Sequence, residues 1–483
     1  MLANLLILFP FAVAALIYFA GGRSAKNISL AAALILFLIN VFALRTHSAD
    51  ATNSLLKSDL SWIQSIHASW LVSLDGMSLF MTLLSTLIVP LIFMSIDEDR
   101  YPKGFYPLAW MMIGAMIGVF TAKDGLLFYI FWELALIPIY FICLLWGGEH
   151  KAKITFKFFV YTLFGSLFML AALIYLYNKA GSWDINALYA AGASMSSVEQ
   201  CLVFWGLFLG FAVKMPVWPF HTWQPDTYTN APTQATMLLS GIMLKMGTYG
   251  AIRWLVPMVP AGLSCNQNAV MVLSIIGIVY ASIIALTQKD FKRMVAWSSI
   301  GHVGLISAGI FAANAIGIKG AFLQMLAHGI NVVGLFFIID IIEKRLGTRD
   351  MTLMGGIRSV NPKLALLFLF ITLGSVALPL TNSFVGEFLL LNGVFLYNRY
   401  FALFAGLTVI FGAVYMLRAY QSTMLGESNK LTSAFGALNS NEKMLLVVIS
   451  ILIIVFGLFP NALLDLIGPG VEDILLHSKT IIN

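Results

Sequence analysis

Apolar side chains run along this chain in long blocks, and short polar stretches separate the blocks. A hydrocarbon layer of roughly 30 Å needs about 20 apolar residues in a helix, and blocks of about this size recur along the whole chain. The predicted segments are 2–21, 28–45, 77–96, 105–122, 125–147, 154–177, 200–220, 231–252, 268–287, 294–313, 318–342, 363–397, 400–423 and 443–463. The pattern predicts an all-α polytopic membrane protein with about 14 transmembrane helices.

Two of these segments are interrupted by helix-breaking residues. The twelfth, 363–397, has 35 residues and would be about 52 Å long as one helix, more than a bilayer requires. Pro379 and the polar residues 381–383 lie near its middle, and Pro216 and Pro219 lie near the end of the seventh segment. Because proline removes a helix hydrogen bond, each segment is predicted to be a discontinuous helix with an unwound joint.

Ionisable residues within the segments recur at a nearly constant offset along the chain. The difference in residue number is 169 for Glu133 and His302, 173 for Lys214 and Glu387, and 173 for Lys245 and Arg418. The members of a pair lie five segments apart. Because each segment crosses the membrane once, a copy that begins an odd number of segments later has the opposite orientation in the membrane. We therefore expect two inverted five-helix repeats, although three pairs could also align by chance. The predicted division is 1–104 (helices 1–3), 105–256 (first repeat), 268–423 (second repeat) and 424–483 (last helix and tail).

Composition and charge agree with a membrane protein and predict its orientation. Of the 483 residues, 60% are hydrophobic and 10% charged, and the net charge is +6. Seventeen of the 28 lysines and arginines lie in odd-numbered loops, and eight lie in even-numbered loops and the C-terminal tail. Since basic loop residues stay cytoplasmic, both termini are predicted on the non-cytoplasmic side. This bias accounts for the net charge without a nucleic-acid partner.

Glu133, Lys214 and Lys245 are candidate proton-transfer groups, because each lies inside an apolar segment. A charge at mid-membrane costs about 3 kcal/mol on insertion scales, so such residues face a partner or a water-filled cavity. A carboxylate that moves relative to a buried lysine changes the proton affinity of both groups. The alternative is a buried ion pair that only holds helices together, in a purely structural membrane subunit.

Three histidines have open interpretations. His302 and His328 lie in the consecutive segments ten and eleven, where they could form a proton relay, act as hydrogen-bonded packing residues or bind haem as a pair. Imidazole titrates near neutral pH, which suits a relay. His221 follows the seventh segment, and it is either a proton-entry group or a solvated loop histidine.

The chain shows no motif for chemistry that could supply energy. Cys143, Cys201 and Cys265 are isolated in the sequence, with no neighbouring histidine, which argues against a zinc site or an iron-sulfur cluster. Two of them, Cys143 and Cys201, lie in apolar segments, and we interpret these two as small apolar residues. No phosphate-binding loop, dinucleotide fingerprint or nucleophile elbow is present. An ion pathway in this chain must therefore be driven by another protein.

Six stretches resemble the antiporter-like subunits of respiratory complex I (NADH-quinone oxidoreductase). They are FYIFWELALIPIYFICLLWG, GFAVKMPVWPFHTWQPDTYTNAPT, LLSGIMLKMGTYGAIR, DFKRMVAWSSIGHVG, MLAHGINVVGLFF and LPLTNSFVGEFLLL. The resemblance covers segments four to thirteen. Two details depart from the family: HGIN (328–331), where a serine is more usual, and LPLTNSF, which lacks the usual glycine.

The resemblance implies a role for each candidate. Glu133 and Lys214 would form the switch of a first half-channel, Lys245 would be the central proton carrier, His302 and His328 would relay protons between the halves, and Glu387 would be the terminal acid of a second half-channel.

The resemblance also implies the surroundings of the chain. NADH, FMN, iron-sulfur clusters and quinone would bind to other subunits, and this chain would hold no cofactor or metal. Its partners would be membrane lipid and other membrane subunits, especially the antiporter-like chains L and N, in a bacterial inner membrane. The alternative function is that of a subunit of a multisubunit cation/proton antiporter or of a membrane-bound hydrogenase.

Overall fold

The structure is a computed structural model that describes residues 1–20, 22–50, 53–98 and 100–479. Its α-helices are α1 (Leu2–Ala20), α2 (Ala25–Ala49), α3 (Gly76–Met94), α4 (Phe105–Thr121), α5 (Gly125–Leu134), α6 (Leu136–Trp146), α7 (Lys151–Ala180), α8 (Ile185–Ser194), α9 (Ser197–Lys214), α10 (Gln224–Asn230), α11 (Thr233–Leu238), α12 (Leu244–Gly250), α13 (Pro260–Thr287), α14 (Phe291–Phe311), α15 (Ala315–Leu346), α16 (Ile357–Val360), α17 (Pro362–Ser375), α18 (Asn382–Tyr397), α19 (Arg399–Ala405), α20 (Leu407–Met424), α21 (Ser440–Leu458) and α22 (Asn461–Lys479). Strands β1 (Lys57–Ile63) and β2 (Ala68–Ser73) pair antiparallel.

The helices confirm the predicted all-α membrane architecture. Within the described residues, 11 helical stretches are long and apolar enough to cross a bilayer, when α5 is counted together with α6 and α19 together with α20. Two shorter apolar helices are α4 and α17. The predicted eighth segment is the run from α11 to Leu255, in which Leu239–Met243 and Ala251–Leu255 are π-helical. Helix therefore covers most of each predicted segment, although the number that span the bilayer remains a prediction.

The chain packs as two units. The first contains Met1–Met215, Ile242–Val270 and the residues from Asp465 onward, and the second contains Pro216–Gly241 and Met271–Leu464. These units are coarser than the four predicted segments, whose boundaries remain a prediction.

Both predicted discontinuities are present. In the first, α9 ends at Lys214 and α10 begins at Gln224, with irregular backbone between them. In the second, α17 ends at Ser375 and α18 begins at Asn382. Ala377 and Leu380, in this second joint, have φ angles of +56° and +76°, a region that favours glycine. The backbone of the joint is therefore strained at these two residues.

A third interruption was missed in the sequence. The predicted fifth segment consists of α5 and α6, which are separated at Ala135. Pro138 has no N–H to donate to the carbonyl of Leu134, which lies one helical turn earlier, and its ring crowds that carbonyl. The interruption follows directly after Glu133, so the proline shapes the backbone around a candidate functional residue.

One local structure occurs twice along the chain. Asp124 forms an isolated antiparallel bridge with Asp184, and Asp290 forms one with Asp350. The second bridge repeats the first at one constant offset in residue number, since 290 − 124 and 350 − 184 are both 166. Asp124 and Asp290 also cap the helices that follow them, because their side chains accept hydrogen bonds from the backbone N–H groups of Leu127 and Arg293.

Three other features were not predicted. The hairpin of β1 and β2 lies between α2 and α3, and α22 follows the last predicted span. The interpretation of Cys201 as a small apolar residue is wrong, since a disulfide joins Cys201 on α9 to Cys265 on α13. The two helices meet near their first turns, where Gln200 accepts a backbone hydrogen bond from Ala261 (2.8 Å). The long sequence separation of the two cysteines hid this pairing.

Candidate functional site

Glu133 and Lys214 belong to the first unit and interact without forming a closed ion pair. The Nζ atom of Lys214 has no hydrogen-bond partner among the described residues, and one oxygen of Glu133 has none either. Electrostatic attraction still couples the two charges, and Ser166 also interacts with the Glu133 carboxylate. The predicted pair is thus present in an open arrangement that a small movement of Glu133 would change.

Two features make the buried ammonium of Lys214 tolerable. Its Nζ atom lies 5.3 Å from the centre of the Trp132 ring, within the range of a cation–π interaction. Lys214 is also the last residue of α9, and the free carbonyl groups at a helix C-terminus favour a cation. The break in the helix therefore stabilises the charge that precedes it.

Lys245 is fully buried in the first unit, on α12. The π-helical turns Leu239–Met243 and Ala251–Leu255 flank this short helix on both sides. Isolated π-turns are rare and are frequent at functional sites. The close approach of Gly247 to the backbone of Met215 packs α12 against the end of α9, which positions Lys245 near the same joint as Lys214.

Glu387 and His302 come together in the second unit. The Nδ1 atom of His302 lies 3.2 Å from Oε1 of Glu387, close enough for an ion pair when the imidazole is protonated. Gln324 donates a hydrogen bond to the same carboxylate oxygen (3.1 Å). Glu387 and Gln324 are almost completely buried. The geometry suits a carboxylate that exchanges a proton with a histidine.

His328 extends this cluster along α15. Its Nε2 atom lies 2.8 Å from the hydroxyl of Ser299, and its ring centre lies 6.0 Å from that of His302. At this distance the two imidazoles form no direct hydrogen bond, so proton transfer between them requires a bridging group. A cavity of about 20 Å³ is bordered by both histidines, Gln324 and Asn331, and a polar space of this size holds about one water molecule.

Small residues let α15 and α18 approach closely enough to bring Glu387 to Gln324. A Cβ atom on Gly393 would lie 2.5 Å from the Cα atom of Gly317, and one on Gly386 would lie 2.6 Å from the Gln324 side chain. Close packing through small residues is typical of helices in membranes. The same two helices are also joined by hydrogen bonds that Asn331 donates to residues 382 and 383, which begin α18 after the joint.

His221 is buried, which excludes the solvated-loop interpretation. Only 2% of its surface is exposed, and its ring packs near those of Tyr280 and Trp297, with centres at 5.4 and 5.6 Å. It lies in the joint between α9 and α10 and belongs to the second unit. Its role in proton entry remains a prediction.

The structure brings together some predicted residues and separates others. Glu133, Lys214 and Lys245 belong to the first unit, and His302, His328 and Glu387 belong to the second. Arg418, the sequence counterpart of Lys245, is exposed. Sequence reasoning missed Gln324 and Ser299, because neutral polar residues are common in helices and carry no signal of their partners.

The comparisons with known proteins show the family of the chain. The family model described as NADH:quinone oxidoreductase/Mrp antiporter, TM, matches residues 122–412. The chain therefore belongs to this family of membrane subunits. Its relatives include NADH-quinone oxidoreductase subunit M of Rickettsia typhi, which is 37% identical over 452 residues, 93% of this chain and 92% of that protein. NADH-ubiquinone oxidoreductase chain 4 of Marchantia polymorpha is 33% identical, over 95% of this chain and 93% of that one.

Solved structures support the same assignment. A chain of respiratory complex I from Thermus thermophilus with bound NADH superposes with a TM-score of 0.92, covers 99% of this chain and 100% of that chain, and is 29% identical. The Mrp complex from Dietzia shows the fold alone, at 18% identity and a TM-score of 0.86 over 99% of this chain and 52% of that chain. The resemblance to antiporter-like subunits of complex I is confirmed.

Proposed function

We propose that this chain is a proton-translocating subunit of the membrane arm of NADH:quinone oxidoreductase. Quinone reduction elsewhere in the complex drives protons through its buried acids, lysines and histidines. The contact of Glu387 with His302 and Gln324 carries the proposal, because it places a buried carboxylate beside an imidazole, a side chain that accepts and donates protons in many relays. The relatives named subunit M over nine-tenths of the chain support the choice of complex.

Each predicted residue keeps its role in this proposal. Glu133 and Lys214 load a proton, Lys245 carries it, His302 and His328 relay it, and Glu387 releases it. The two aspartate bridges, Asp124 with Asp184 and Asp290 with Asp350, support a sequence repeat in which each unit contributes one set of proton-transfer residues. Its offset of 166 in residue number is close to the offsets of 169 and 173 between the ionisable pairs.

The surroundings follow from the same assignment. NADH, FMN, iron-sulfur clusters and quinone bind to other subunits, and the antiporter-like chains L and N are the neighbours in the membrane. The chain lies in a bacterial inner membrane with both termini outside the cytoplasm. The alternative is a subunit of a cation/proton antiporter, which the Mrp part of the family description favours. Proton movement that is driven by a Na⁺ gradient and does not require NADH would support that alternative.

The decisive experiment replaces Glu387 with glutamine. Glutamine keeps the size of the side chain but cannot release a proton at neutral pH. We expect the complex to assemble while NADH-driven proton pumping falls by about tenfold or more, since positioned acids and bases contribute on the order of a hundredfold.

A matched control is Glu343→Gln, which changes a partly exposed carboxylate in the last turn of α15, away from Glu387 on α18. This variant is expected to pump at the parental rate. Parental pumping by Glu387→Gln would refute the pathway, and loss of assembly in that variant would support a purely structural role.

A further inference from the structure

We propose that Tyr249, Ser78, Lys123 and Asp75 form a proton path between Lys245 and the surface of the first unit. All of these residues belong to that unit. The inference rests on the proposed function, because it takes Lys245 as a proton carrier. It adds an outlet that does not use the histidines or Glu387 of the second unit.

The path begins one helical turn from Lys245. Tyr249 lies on the next turn of α12, at position i+4, and both side chains are fully buried. Residues at i and i+4 lie on the same face of a helix, and a long side chain points back toward the preceding turn. The tyrosine therefore leans toward the turn that carries the lysine.

Two buried hydroxyl groups continue the path. Tyr249 donates a hydrogen bond to the carbonyl of Phe120 (2.8 Å), and its oxygen lies 3.2 Å from the hydroxyl of Ser78. Because the tyrosine proton points to Phe120, Ser78 is the donor in the second contact. Lys123 in turn donates to the Ser78 oxygen at 3.4 Å. The three groups form one continuous line of hydrogen bonds.

The line ends in an ionic cluster of Asp75, Lys123 and Arg253. Lys123 lies 2.7 Å from the Oδ2 atom of Asp75, and Arg253 contacts the same oxygen. The Asp75 side chain is 33% exposed, so the cluster reaches solvent. The other oxygen of Asp75 accepts from the backbone N–H of Ser78 (2.9 Å) and caps α3. The same carboxylate thus ends the path and holds Ser78 in place.

The loop positions place this outlet on a defined side. Asp75, Lys123 and Arg253 lie at the ends of segments where the distribution of basic residues predicts the non-cytoplasmic surface. A proton that passes from Lys245 to this cluster is therefore released on the predicted non-cytoplasmic side.

Proton transfer along the path balances at every step. Lys123 first releases a proton through Asp75 to bulk water. The Tyr249 hydroxyl then turns from the Phe120 carbonyl to Ser78 and passes on its proton as its oxygen receives one from Lys245. Ser78 likewise gives its proton to the neutral Lys123. Each N–H or O–H bond that breaks is matched by one that forms, and no electron transfer is needed.

The test uses two variants in the complete complex, reconstituted into vesicles. Tyr249→Phe keeps the ring that packs against Phe120, and Ser78→Ala removes only a hydroxyl. We expect both complexes to assemble and to oxidise NADH with an artificial acceptor at the parental rate, while proton pumping with quinone falls by about twofold or more, since the release through Glu387 stays open. The controls are Tyr106→Phe on α4 and Ser85→Ala on α3, two buried residues outside the path, and they are expected to pump normally.

A third variant separates proton transfer from charge. Lys123→Arg keeps a cation beside Asp75, but a guanidinium group does not release a proton at neutral pH. We expect it to assemble and to lose pumping as the other two variants do. If Lys123→Arg, Tyr249→Phe and Ser78→Ala pump at the parental rate while Lys245→Ala does not, the outlet is wrong and the proposed function stands. Parental pumping by Lys245→Ala would instead refute the proposed function.

Discussion

The ammonium group of Lys214 is held by weak interactions, which makes its charge easy to switch. It has a cation–π contact with Trp132 and an electrostatic interaction with Glu133, but no hydrogen bond to a described residue. A closed, hydrogen-bonded ion pair at this depth would be costly to open. The open arrangement lets a modest displacement of Glu133 alter the proton affinity of Lys214.

Replacing Lys214 with alanine tests this switch. The change removes the charge that Glu133 faces, so we expect the complex to assemble and NADH-driven proton pumping to fall by about tenfold or more. Pumping is measured as acidification of inside-out vesicles. Lys319→Ala, which removes a lysine from the first turns of α15, is the matched control. Parental pumping by the Lys214 variant would exclude it from the pathway.

Single residues were predictable from the sequence when their charge was unusual for their surroundings. Glu133, Lys214, Lys245 and Glu387 stand out because each lies in an apolar segment. Their neutral partners did not stand out, since serine, glutamine and tyrosine are tolerated in membrane helices for many reasons. Which face such a residue occupies, and what it meets there, depends on packing between distant segments.

At the level of elements, the broken helices place charges where helix ends favour them. Lys214 ends its helix, and Glu387 lies in the second turn of α18 after a joint. A cation is favoured at a helix C-terminus and an anion near an N-terminus, and the effect decreases beyond the terminal turn. This accounts for the opposite charges at the two joints. The stabilisation is larger for Lys214, which is the last residue of its helix, than for Glu387, which lies beyond the first turn.

The interruption at Ala135 can be tested through Pro138. In Pro138→Ala, the restored N–H can donate to the Leu134 carbonyl, and a proline inside a helix costs about 3 kcal/mol. We expect α5 and α6 to become one continuous helix, with slower amide exchange around Ala135 and reduced proton pumping because Glu133 is displaced. Pro90→Ala in α3, where the helix continues past its proline, is the control. Unchanged exchange and pumping in Pro138→Ala would show that the proline does not position Glu133.

Prolines revealed two joints but not their geometry. The breaks near Pro216 and Pro379 were predicted, whereas Pro138 was overlooked because its segment has the normal length for one span. The positive φ angles of Ala377 and Leu380 could not be predicted, since neither residue type favours them. The hairpin of β1 and β2 could not be predicted from apolar blocks of membrane length, because its strands are much shorter than such a block.

For the whole molecule, the predicted repeat has no single offset in residue number. The ionisable pairs gave offsets of 169 and 173 in residue number, and the aspartate bridges give 166. The exposure of Arg418 shows that a matching position in sequence need not share an environment with its counterpart. Short insertions between helices are enough to shift one pair relative to another.

The disulfide allows a test of the orientation of the whole chain. Cys201 and Cys265 lie near the starts of α9 and α13, on the side where the basic-residue pattern predicts the non-cytoplasmic surface. A disulfide persists in an oxidising compartment such as the periplasm and is rare in the cytosol. In intact cells stripped of their outer membrane, a membrane-impermeant maleimide is therefore expected to label Cys265 only after treatment with a membrane-impermeant reductant.

Labelling from the other side completes this test. A cysteine introduced at the exposed Leu353, in the loop between Lys344 and Lys363, should react in inside-out vesicles and not in intact cells. Cys143 is buried and is not disulfide-bonded, and it serves as the internal control that stays unlabelled in both preparations. Reaction of Leu353→Cys from outside would reverse the predicted orientation. It would also place the Asp75 cluster on the cytoplasmic surface and turn the proposed outlet into an entry route.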